Sequence, residues 1–150
     1  MDVDAMKRFA VERVEALFNR QEVERIPEFV TDDYVNHEAW EGEDPGHEGF
    51  MLRMRRLYEA FPDLHMQVED VIAEGDLVAY RATFTGTHRG ELLGMPPTGR
   101  SFRVQHMHFL RLRHGRACEH WAVRDDLGML QQLGIVPAPG SAGPPKLSGS

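Results

Sequence analysis

The chain has 150 residues, 41% of them hydrophobic, with a formal net charge of −7. That length suits one domain with a substantial core, and the acidic balance argues against a nucleic-acid binder, which would carry a basic stripe. The single cysteine, Cys118, excludes an intrachain disulfide and a cysteine-based metal centre, and no apolar run approaches the roughly 20 residues that span a bilayer.

The opening MDVDAMKRFA lacks a signal-peptide core, so a cytoplasmic location is expected by default. Residues 4–20 have helical spacing through Phe9, Val11, Val14, Leu17 and Phe18, with Asp4 as N-cap. A short second helix is expected over 23–29, with Pro27 tolerated in its first turn. Thr31-Asp32-Asp33 reads as a turn before Tyr34-Val35-Asn36-His37, and 41–46 as an acidic loop. Helical spacing returns over 48–60 through Phe50, Met51, Met54, Leu57 and Tyr58, and Pro62 ends it. Arg53, Arg55 and Arg56 read as the solvated face of that helix.

From there the chain turns β-rich. Residues 65–73 and 77–87 alternate around the turn Glu74-Gly75-Asp76, and a Gly/Pro loop occupies 92–99. Two more strands follow in the run from Val104 to Asp125, hinged at His114-Gly115. Period-two alternation puts Val104, His106, His108, Leu110 and Leu112 on one face of the first of these. On the second, Trp121, Val123 and Asp125 share a face, which aligns a carboxylate with apolar neighbours. Burying a charge costs several kcal/mol or more unless it is paired or protonated. Asp125 therefore reads either as an acid/base group with a raised pKa or as the cap of a short helix over 127–133 ended by Gly134. The order, helices first and then four antiparallel strands, is an α+β pattern with helices packed on one side of a curved sheet. Residues 1–136 form the expected domain, and 137–150 a flexible Pro/Gly/Ser-rich C-terminal tail.

Three stretches carry a family resemblance: DDYVNH at 32–37, AFPDLHMQVEDVIAEGDLVAYRATFTGTH at 60–88, and LLGMPPTGRSFRVQHMHFLRLRHGRACEHWAVRDDLGMLQQLG at 92–134. Together they resemble the SnoaL-like polyketide (ester) cyclase family of the NTF2-like superfamily. The resemblance implies a cone-shaped α+β barrel, with N-terminal helices on a mainly antiparallel sheet, a deep pocket and a homodimer or higher homo-oligomer. It implies intramolecular aldol ring closure of a hydrophobic carbonyl substrate, with neither metal nor cofactor and with an aspartate as acid/base. That aspartate falls on Asp125, with Asp126 as its neighbour. The strand histidine falls on His106 or His108, His108 being preferred, and His37 is implied to point into the pocket.

The residues allow that chemistry. A carboxylate surrounded by Trp121 and Val123 can take an alpha proton, and imidazoles at His108 and His37 can donate to the enolate. His106, Trp121, Trp40, Phe61, Tyr80, Phe84 and Phe102 are the candidate substrate-binding residues, with Trp40 placed to cover the mouth. Met107 and Phe109, on the face opposite the imidazoles, suit packing on a helix or a second subunit. Other readings stay open: an isomerase, a dehydratase, an epoxide hydrolase, or a non-catalytic binding module. Epoxide opening wants Asp and Arg around a water, and Arg124 falls on the face opposite Asp125, which leaves Arg81. A metal held by His106, His108 and Asp125 or His37 is the less favoured use of the eight histidines.

Overall fold

A computed structural model of the chain describes residues 1–140. The expected tail thus lies mostly outside the described residues. Helix α1 (Val3–Val14) is capped by Asp2, whose carboxylate accepts from the Ala5 N–H, rather than by Asp4. Its expected continuation to residue 20 loosens into a π-helical turn, Glu15–Asn19, which buries Ala16, Leu17 and Phe18. A 3₁₀ turn (Val23–Arg25) leads into α2 (Ile26–Phe29), with Pro27 in its first turn as expected. Helix α3 (His47–Ala60) follows, and α4 (Asp126–Gln132) closes the fold.

The five strands are β1 (Val30–Asn36), β2 (His65–Glu74), β3 (Leu77–Thr87), β4 (Ser101–Arg113) and β5 (Arg116–Arg124). They form one sheet in the order β1-β5-β4-β3-β2. The strand beginning at Val30 corrects the expectation of a turn at 31–33 and of four strands. It pairs parallel with β5 and sets Asn36 beside His120. Two acidic residues hid it, because Asp32 and Asp33 both stand exposed at a sheet edge.

The helices lie on one face of the sheet, and that face is the core. The alternation along β4 holds throughout: Val104, His106, His108, Leu110 and Leu112 are buried while their neighbours are not. Antiparallel pairing aligns Tyr80 with His108 and Ala82 with His106. On the far side of β4 it aligns His108 with Ala122 and His106 with Arg124. Small residues therefore stand on one side of each imidazole and leave room above the sheet. The opposite face is bare of helices, so the expected packing of Met107 and Phe109 on a helix is not found. They are 57% and 48% exposed, and Val123 is 76% exposed. Among the described residues no helix is long and apolar enough to cross a membrane.

The loop after β3 is pinned under α3, where the Gly90 N–H donates to the Ala60 carbonyl at 3.2 Å. A Cβ on Gly90 would stand 2.1 Å from the Glu59 carbonyl oxygen, a backbone atom that cannot swing aside. Gly90→Ala is therefore expected to destabilise the fold by about 1–3 kcal/mol, read as a lower midpoint in urea.

Candidate active site

Between the sheet, α1, α3 and α4 lies a cavity of about 580 Å³. Its floor is the buried face of β4 and β5. His106, His108 and His120 are 5%, 3% and 3% exposed, so burial must be matched by hydrogen bonding. It is. His120 Nδ1 lies 2.8 Å from Asn36 Oδ1, His108 Nδ1 lies 2.8 Å from His120 Nε2, and His106 Nδ1 lies 3.4 Å from His108 Nε2.

This row has a direction. Asn36 Oδ1 also accepts the Glu38 N–H, at 3.0 Å, which fixes the amide oxygen toward His120. His120 must then donate from Nδ1, so its Nε2 is bare and accepts from His108 Nδ1. His108 Nε2 in turn accepts from His106 Nδ1, and the lone pair surfaces at His106 Nε2, which has no partner among the described residues. Below the row the Tyr80 ring stacks on His108 at 4.9 Å and 11°.

All three imidazoles are held neutral. Burial pushes the pKa of His106 down to about 3, with Arg124 adding repulsion. Burial likewise takes His108 and His120 well below the ordinary value, with neighbouring imidazoles and the Arg124 and Arg13 cations contributing. Arg124 itself is pushed down by burial and by Arg53.

Around this floor, Arg13, Tyr34, Phe50 and Met54 form one wall, and Arg124, Asp126, Met129 and Leu130 another. Trp40 stands at the mouth, as expected, with the Arg53 guanidinium 4.9 Å over its ring and Arg53 paired to Glu43. Leu92, Leu93 and Gly94 form the rim.

The structure brings together His106, His108, Trp40 and Phe84 of the expected site. Others it does not. Asp125 is exposed, and its carboxylate accepts from the Gly128 N–H at 2.8 Å, so the capping alternative is the one found. Asp126, the next residue, lines the cavity instead. His37 lies outside the cavity, stacked on Trp121 at 4.7 Å and 2.8 Å from a Glu119 carboxylate oxygen. Trp121 belongs to the same outer face, because the β4–β5 register aligns it with Phe109. Phe61 and Phe102 are core residues that support Phe84 from behind, at 6.3 and 5.1 Å. Tyr80 is buried beneath His108 and does not line the cavity. Arg81 pairs with Asp70 outside, and Arg124 lines the cavity. Arg13, Asn36 and His120 went unrecognised, since a lone Arg in an amphipathic helix and an Asn before a loop carry no spacing signal. Among the described residues no three His, Cys, Asp or Glu side chains converge as metal ligands would.

A helix-lined cone over a curved sheet, with a polar floor in an otherwise apolar cavity, is the architecture of a small-molecule enzyme or binding protein. The SnoaL-like polyketide cyclase family model matches residues 8–133, and the chain belongs to that family. It is 32% identical over 127 residues to aklanonic acid methyl ester cyclase DauD of Streptomyces sp. (strain C5), covering 83% of this chain and 79% of that one. TsrD from Streptomyces laurentii superposes with a TM-score of 0.82 at 26% identity, over 91% of this chain and 99% of that one. IdmH from Streptomyces antibioticus superposes with a TM-score of 0.73 at 35% identity, over 85% and 96%.

The neutral histidine row sets a pH dependence of stability. Because the folded-state values lie below the ordinary ~6.5, the unfolded chain binds protons that the native state refuses once the pH drops below that value. Stability is full above pH ~6.5 and is lost as the pH falls toward the folded-state values, about 3 for His106. The expected slope is about 1.4 kcal/mol per pH unit for each imidazole. Melting curves between pH 8 and 5 should show the decline, and His106→Gln should remove one imidazole's share of it.

Proposed function

We propose that this protein closes a ring in a hydrophobic, aromatic polyketide-type carbonyl substrate by intramolecular aldol addition, without a cofactor. The observation that carries this reading is Asp126, an acidic residue lining a largely apolar cavity whose charge acts on the Arg124 guanidinium and whose other lining includes neutral imidazoles. The volume, about 580 Å³, suits a fused-ring substrate. The relatives' named activity, cyclisation of a polyketide methyl ester, supports the same class.

The steps follow from the groups present. Asp126 takes a proton alpha to a carbonyl, and the C–H electron pair becomes an enolate whose oxygen the Arg124 cation stabilises. The enolate carbon attacks a second carbonyl of the same molecule. A C–C bond forms, the carbonyl π pair moves to oxygen, and the alkoxide takes back the proton that Asp126 holds. His106 Nε2, a bare acceptor, orients a substrate hydroxyl. The cavity walls supply proximity by holding both reacting carbons in one conformer. Arg124 favours the anionic forms at each stage.

Asp126→Asn is expected to lower turnover of aklanonic acid methyl ester by about 10²–10⁴-fold. Asp125→Asn is expected to change it little, because asparagine caps a helix as well as aspartate does. The reverse ranking of the two variants would move the acid/base role to Asp125.

A further inference from the structure

The cavity holds more positive charge at depth than the proposed ring closure requires. Arg13 is 2% exposed and forms part of the wall. Its Nη1 donates to the Tyr80 hydroxyl at 3.2 Å and its Cζ sits 5.1 Å over the Phe50 ring. Its Nε–H is buried with no acceptor among the described residues. No carboxylate among the described residues lies within 4.0 Å of Arg13 or of Arg124. The third inward arginine, Arg53, is satisfied by Glu43.

Among the described residues no ion pair neutralises the two cations, and Asp126 and Glu38 act on Arg124 only from beyond ion-pair distance. Burial pushes the Tyr34 phenol up to about 12 and raises Tyr80, so both remain neutral hydroxyls beside Arg13. The histidine row is neutral for the same reason. Asp126 closes no ion pair with Arg124, and Glu59 and Glu91 are exposed at the rim. An unpaired buried guanidinium is among the costliest groups a protein can carry. Such a group persists where a ligand completes it, and the planar guanidinium fork matches a carboxylate.

Resting on the cyclase reading for the cavity's aromatic ligand, we propose that the substrate of this chain carries a free carboxylate, bound as the anion between Arg13 and Arg124. Its relative DauD is named for a methyl ester, in which that charge is absent. Arg13 and Arg124 then act as specificity-determining residues that separate an acid from its ester. The apolar walls and His106 hold the ring system.

The test compares anthraquinone-2-carboxylate with its methyl ester, titrated into the full-length protein by calorimetry at pH 7.5. The acid is expected to bind at least tenfold more tightly. Arg13→Met and Arg124→Gln should each reduce that preference to within about twofold. Should Arg13→Met fail to fold, by its circular dichroism, the half-buried Arg124→Gln decides alone. Equal binding of acid and ester, tighter binding of the ester, a preference untouched by Arg124→Gln, or no binding of either would each overturn the proposal. Its failure is separable from failure of the cyclase reading. An ester-preferring protein that turns over polyketide esters loses only the carboxylate site. An acid-preferring protein with no cyclase activity on either acid or ester substrates keeps the site and loses the reaction.

Discussion

The hydrogen-bonded row from Asn36 through His120 and His108 to His106 is the constraint on which the rest of the site depends. Three imidazoles buried side by side are tolerable only if their buried ring nitrogens are matched, as all are here except His106 Nε2, which opens on the cavity, because an unsatisfied buried polar atom costs about 1–3 kcal/mol. The match needs a terminal acceptor, and the Asn36 amide oxygen is that acceptor. One residue on β1 thus orients three rings on two other strands. The parallel pairing of β1 with β5 exists in the right register to deliver it. Tyr80, stacked beneath His108, stops the middle ring from turning. At the far end, the row presents a bare nitrogen to the cavity rather than a donor.

The same row explains the charge pattern above it. Neutral rings can line a low-dielectric cavity beside Arg13 and Arg124, whereas imidazolium ions could not. Burial holds the rings neutral, and the cations add to that. The cavity therefore combines neutral imidazoles with two inward guanidinium cations. Asp126, at the junction of β5 and α4, is the acidic residue to which the proposed ring closure assigns the proton transfer.

Much of this was legible in the sequence. The alternation along β4 placed His106 and His108 on the buried face together with Leu110 and Leu112, and they are there. The turn at His114-Gly115 and the order of helices before strands led to the α+β cone. The errors at β5 have one physical origin. Trp121, Val123 and Asp125 look like an inward face because the apolar side of a strand normally packs on the core. Here the core side of β5 carries His120, Ala122 and Arg124, since it forms the polar floor of the cavity, and the apolar side faces outward. Functional sites are where the inside-apolar rule fails. That choice of face put Trp121 and Asp125 inside, whereas the inward placement of His37 came from the resemblance alone, and the structure sets His37 on the outer face stacked on Trp121. The strand from Val30 was missed because its two aspartates imitate a turn, and Asn36 cannot be recognised without knowing what β1 pairs with.

The most direct measurement of the central constraint is a long-range proton–nitrogen NMR spectrum of the histidine side chains at pH 7. His120, His108 and His106 should all be neutral, and all protonated on Nδ1, with His106 Nε2 free. Asn36→Ala should scramble that pattern along the whole row. A His106 protonated on Nε2, or an imidazolium at any of the three positions, would contradict the directed row and with it the charge pattern of the cavity.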